Sequence, residues 1–162
     1  LMTPTAFHWR WDSVRKPPQG GFFIALSIKG ANDMSFPGLG FLIVFFGGGL
    51  GAALRHGVNL TTARLIGGYF PYATLIENVN GSLLMGLLAA YFAFKTGLPQ
   101  HLRLFLTTGI LGGYTTFSTY SLDVALLYER GELWLAALYA LGSAILAIAG
   151  LFLGLALVRY YA

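Results

Sequence analysis

Four stretches of this chain, 34–54, 65–94, 104–122 and 133–158, contain no charged residue except Glu77. A helix needs about 20 mostly apolar residues to cross the hydrocarbon core of a bilayer, so each stretch is long enough for one span. Only 10% of the 162 residues are charged, against 56% hydrophobic, and the mean hydropathy is +0.68. A soluble domain has roughly a quarter of its residues charged. The shortage excludes a soluble enzyme and predicts an all-α membrane protein. Four transmembrane helices are expected at 38–60, 73–94, 102–128 and 133–158, inside a domain covering 34–162. The chain has no cysteine, which rules out disulfides and thiolate metal sites. The pI near 9.5 reflects basic loop anchors flanking spans, and no nucleic-acid partner is expected.

The third stretch does not read as one continuous helix. Gly109 to Ser121 runs GILGGYTTFSTYS, and both glycine and β-branched threonine lower helix propensity. A break at membrane depth is tolerated only where the freed backbone is buried in protein or lines a watery path. The expectation is therefore a third helix broken mid-membrane, with the functional site at the break.

Residues 1–33 read as an N-terminal extension, disordered or upstream of a true start at Met34; the apolar patch from Phe22 to Ile28 is too short to span. In the first span, Gly47-Gly48-Gly49-Leu50-Gly51 suits close helix packing; the Gly-Lys-Ser/Thr of a phosphate loop does not follow it. Arg55 and His56 close that span as interfacial residues.

In the second span Asn78 and Ser82 are four apart and share a helix face. Polar groups inside a span usually face the bundle interior or a water-filled cavity, so Asn78 is a candidate functional residue. Glu77, the acid in this span, suits an interfacial place at a helix N-terminus; deeper, it needs a base such as Arg55 or a proton. In the fourth span Tyr139 and Ser143 share a face, and Gly142, Gly150 and Gly154 suit close packing.

From Met34 onward, Lys95, Arg103 and Arg159 fall on one side of the membrane and Arg55, Arg64 and Arg130 on the other. Three against three gives no orientation bias, which predicts insertion both ways up and an antiparallel two-fold pair. Counting Arg10, Arg15, Lys16 and Lys29 would make it seven against three, so the prediction takes Met34 as the effective start.

Three motifs now coincide: Gly51-Ala52-Ala53-Leu54-Arg55, Thr74-Leu75-Ile76-Glu77-Asn78-Val79-Asn80-Gly81-Ser82, and Gly112-Gly113-Tyr114-Thr115-Thr116-Phe117-Ser118-Thr119-Tyr120-Ser121. With them the chain, over about 38–160, resembles the Fluc/CrcB fluoride ion channels. That resemblance implies four spans per subunit, an antiparallel dual-topology homodimer in the cell inner (plasma) membrane, and passive fluoride efflux. It implies a structural sodium ion, not transported, held by the backbone carbonyls of Gly112 and Thr115. The implied fluoride path comprises Asn78, Thr116, Phe117, Tyr120, Tyr139 and Ser143, with Arg55 at a vestibule. The chain departs from the family pattern at Tyr120, usually phenylalanine, at Glu77, usually small or apolar, at Asn80, and at Ala147, where some relatives continue a polar track.

The chemistry is coherent with that resemblance. A pore for small, strongly hydrated fluoride must replace water with donors, and Asn78, Thr116 and Ser143 can offer N–H and O–H groups. Aromatic rings carry a positive edge that Phe117 and Tyr120 can present to an anion. Two other functions fit four short spans: a dual-topology proton-coupled multidrug antiporter using Glu77, and a non-conducting assembly subunit.

Overall fold

The computed structural model describes residues 37–95 and 97–161. The chain divides into Leu1–Pro37 and Gly38–Ala162; the first unit, Pro37 excepted, and with it the expected extension 1–33, lies outside the described residues. The described residues form helices joined by short turns, with no strand among them.

Helix α1, Pro37–Leu65, opens on a proline, whose fixed φ and missing N–H suit a first helical position. It continues past Leu60, the end expected for the first span. Its last turn closes through the Ile66 N–H on the Thr62 carbonyl at 2.9 Å, and Gly67, at φ +90°, then reverses the chain in a conformation that favours glycine.

Helix α2, Tyr72–Phe94, starts directly after Pro71. Helix α3, Gln100–Leu104, runs into a π-helical stretch, Phe105–Leu111, and then one further turn, α4, Gly112–Tyr114. Thr115 and Thr116 have extended backbones, at φ −84°, ψ 154° and φ −152°, ψ 123°. Helix α5, Phe117–Glu129, follows, and α6, Leu133–Tyr161, completes the described chain. Three of these helices are long and apolar enough to cross a membrane: Gly38–Leu65, Tyr72–Phe94 and Leu133–Tyr161.

Glycines set how closely these helices approach. A Cβ on Gly47 would lie 2.9 Å from the Gly109 Cα, and one on Gly51 would run into the Ile110 carbonyl, so α1 and the π-helical stretch meet backbone to backbone. Between α2 and α6, a Cβ on Gly86 would strike the Leu151 carbonyl and one on Gly154 the Leu83 carbonyl. Small residues permit this approach in lipid, where packing rather than water drives helix association. Gly142 packs closely against no other helix of the same chain, since nothing lies within 4 Å of the Cβ it lacks.

Leu127, Ala136 and Tyr139 form a buried cluster between α5 and α6, with Phe70, Leu75 and Tyr120 packed against it. Most other large apolar side chains face outward, among them Phe41, Phe45, Trp134 and Leu138, as a helix bundle solvated by lipid requires.

Candidate functional site

In an α-helix each carbonyl accepts from the N–H four residues on, and two departures from that rule build the site. The Thr115 N–H still donates to the Leu111 carbonyl at 3.0 Å. The next N–H, of Thr116, donates instead to Asn78 Oδ1 at 2.9 Å, while Asn78 Nδ2 donates to the Thr116 carbonyl at 3.1 Å. One side-chain amide thus satisfies both backbone groups of a residue that has left the helix.

Helix α5 then starts afresh, with Thr116 as its cap: the Thr119 N–H donates to Thr116 Oγ1 at 3.2 Å. Threonine is well suited here, since its oxygen satisfies an orphan N–H in the first turn. Space for the kink comes from Gly81, where a Cβ would collide with the Thr115 methyl.

The diversion has a consequence for two carbonyls. The Thr116 N–H would ordinarily serve Gly112, and the Thr119 N–H would serve Thr115; both go elsewhere. The carbonyls of Gly112 and Thr115 therefore lose their helical donors, and Gly112 is exposed. No group of three or more His, Asp or Glu able to hold a metal occurs among the described residues. Freed carbonyl oxygens are the donor type that broken membrane helices offer to Na⁺, and these two fit such an ion.

Beside the break lies a groove of about 250 Å³, lined by Asn78, Ser82, Thr116, Phe117, Tyr120 and Ser143 among others. Asn78 carries two amide hydrogens, and one bond to Thr116 leaves the other for a guest. Phe117 is 79% exposed, a large apolar ring standing at an open edge of the groove. Its ring centroid lies 5.4 Å from that of Tyr120. The Tyr120 hydroxyl is directed away, donating to the Ala140 carbonyl at 2.7 Å, so the residue meets the groove mainly as a ring.

Tyr139 lies behind the groove lining. It is buried, its centroid is 5.5 Å from that of Tyr120, and its hydroxyl donates to Asp123 Oδ2 at 3.1 Å. A second cavity, of about 230 Å³, includes Asn59, Phe70, Thr74, Thr119, Asp123 and Arg130 in its lining.

The sequence model of the family described as CrcB-like protein, Camphor Resistance (CrcB), matches residues 42–155. The chain belongs to the CrcB-like family. It is similar to the Fluoride-specific ion channel FluC of Rhodopseudomonas palustris (strain BisB5), at 67% identity over 119 residues covering 74% of this chain and 96% of the relative. Fluoride-specific ion channel FluC 2 of Nitrobacter hamburgensis is 61% identical over 122 residues, covering 75% and 98%. The Fluoride-specific ion channel FluC of Methylobacterium sp. (strain 4-46) is 60% identical over 120 residues, covering 74% and 96%.

The matched CrcB-like region contains every candidate residue named from the sequence. The structure brings Asn78, Thr116, Phe117, Tyr120 and Ser143 to one groove and sets Tyr139 behind it. Arg55 lies apart from that groove, half-buried on α1, with its carbonyl accepting from Asn59 Nδ2 at 3.0 Å. Glu77, in the second turn of α2, is wholly buried within the chain; Asn59 Nδ2 donates to its Oε1 at 2.8 Å, its Oε2 has no hydrogen-bond partner, and the charge of Arg55 acts on it. Sequence reasoning passed over Asn59, Phe70 and Asp123. The signal for Asp123 was its place three residues after Tyr120 on one helix face; Asn59 lies in a polar segment between Arg55 and Arg64 that gives no such signal.

Proposed function

We propose that this CrcB-like protein is a fluoride-selective channel that carries fluoride passively out of the cytoplasm across the cell's inner (plasma) membrane. The observation that carries the reading is the reciprocal hydrogen bonding of Asn78 with the Thr116 backbone beside an aromatic-edged groove. The ion is taken from relatives named as fluoride-specific channels.

In this reading the segments 100–114 and 117–129 together make a third span, broken mid-membrane at Thr115 and Thr116. The groove is open and Phe117 is uncovered, so one chain supplies half of a path, and an inverted second copy completes it in an antiparallel dual-topology homodimer. Fluoride sheds water onto the spare Asn78 N–H and the hydroxyls of Thr116 and Ser143. It passes the edges of Phe117 and Tyr120, with Tyr139 bracing the rings from behind. Arg55 sits at a vestibule and raises local anion concentration. The carbonyls of Gly112 and Thr115 would hold a structural sodium ion, which would supply a fixed positive charge beside the break. No residue in the path needs to gain or lose a proton, which is what passive conduction requires.

The test is fluoride efflux from proteoliposomes, read by a fluoride electrode, with sodium present or replaced. Rapid fluoride release, little chloride release and a requirement for sodium are expected. Absent fluoride flux, or equal chloride flux, would overturn the channel reading. Proton-driven drug uptake in its place would favour the antiporter built on Glu77.

A further inference from the structure

The series of rings does not end at the groove. Tyr139, 2% exposed, has Tyr120 on one side and Phe70 on the other, with centroids 5.5 Å away in both cases. Phe70 meets Tyr139 edge to face, at 86°. Rings thus run without a gap from Phe117 through Tyr120 and Tyr139 to Phe70. The first two line the groove and the last lines the second cavity.

Phe70 has two environments. On one side it packs against the Leu127, Ala136 and Tyr139 cluster. On the other it stands in a cavity wall that also holds Thr74, Asp123 and Arg130. Its backbone is fixed by a tight turn, the Tyr72 N–H donating to the Phe70 carbonyl at 2.8 Å across Pro71.

We infer that Phe70 is the outermost ring of the anion path, and that the cavity it lines is the mouth of that path. The inference rests on the fluoride-channel function proposed above and adds a residue and an entrance to it. Conduction needs contacts that attract an ion and yet release it, and an uncharged ring edge does both. Asp123 in the same wall would repel an anion, but Tyr139 donates to its Oδ2 and Arg130, in the same lining, supplies opposite charge.

The experiment compares fluoride efflux from proteoliposomes containing wild type, Phe70→Leu, Phe70→Tyr, and pentafluorophenylalanine incorporated at position 70. Leucine keeps bulk without a ring; the fluorinated ring keeps shape but reverses the charge pattern of edge and face. The leucine and fluorinated forms are expected to release fluoride about tenfold more slowly, and Phe70→Tyr within about twofold of wild type. Wild-type rates in the leucine or the fluorinated form would overturn the inference. If Phe70→Leu folds poorly, the fluorinated form, which preserves packing, decides. Wild-type protein that releases no fluoride would overturn the proposed function itself, a result distinct from a conducting wild type matched by its variants.

Discussion

Replacing Asn78 with alanine should both destabilise the protein and silence it, through Thr116. The substitution removes two hydrogen bonds, of 2.9 and 3.1 Å, from a residue that is 8% exposed. Each buried backbone group left without a partner costs about 1–3 kcal/mol, giving about 2–6 kcal/mol if both stay dry. Two effects lower that range. Asn78 and Thr116 line the groove, so water can rehydrate one of them, and measured interhelical hydrogen bonds in membranes average only about 0.6 kcal/mol. A loss of about 2 kcal/mol is the resulting expectation. The freed Thr116 N–H also has a nearby alternative in the Gly112 carbonyl, its ordinary helical acceptor. Taking it would straighten the break and withdraw one of the two freed carbonyls. Asn78→Ala should therefore weaken the sodium dependence of thermal stability in detergent as well as abolish fluoride efflux. Asn78→Asp keeps the acceptor but loses the donor and adds a charge, so it should keep more stability than alanine while conducting no better. An Asn78→Ala protein that melts like wild type and keeps its sodium response would refute the role given to this amide.

Four further substitutions probe other parts of the structure. Tyr120→Phe removes the hydroxyl bound to the Ala140 carbonyl but keeps the ring; it should cost about 0.5–1.5 kcal/mol in thermal stability and leave fluoride efflux within about twofold of wild type. Gly51→Ala places a methyl against the Ile110 carbonyl, whereas Gly57→Ala meets nothing within 4 Å. The first should lose more than about 1–3 kcal/mol by overpacking, and the second should be neutral or gain up to about 1 kcal/mol in helix propensity, with melting in detergent as the readout. Arg130→Gln removes a cation from the second cavity; fluoride efflux should fall severalfold at low ionic strength, and the deficit should shrink near 0.15 M salt, where the Debye length is about 8 Å.

What the sequence discloses about this chain follows from the range of the interactions involved. Helices α1, α2 and α6 are visible as uncharged runs because hydropathy is a local property, and their start and stop signals, Pro37, Pro71 and Gly67 among them, are local too. Asn78 stands out from sequence because a polar side chain within an apolar span needs a reason. Its partner does not, since Thr116 is 38 residues away and nothing in either neighbourhood announces the pairing. For Glu77, charge suggested Arg55, whose field does reach it, but the hydrogen bond from the Asn59 amide, 18 residues away, is not announced by either neighbourhood. Tyr139 and Ser143 share a face as their spacing requires, yet only Ser143 lines the groove, because Phe70 and Tyr120 enclose the larger ring. Phe70 sits in a turn whose aromatic residues resemble an ordinary interfacial belt, so only the arrangement in space separates it from Tyr69.

The proposed ion path for fluoride runs along the groove between Asn78 and Phe117. Its most direct test is a planar-bilayer current recorded from the purified protein under opposed gradients of fluoride and chloride. A steady current is expected that reverses close to the fluoride equilibrium potential and vanishes in Asn78→Ala. Reversal close to the chloride potential, or a fluoride current undiminished in Asn78→Ala, would contradict it.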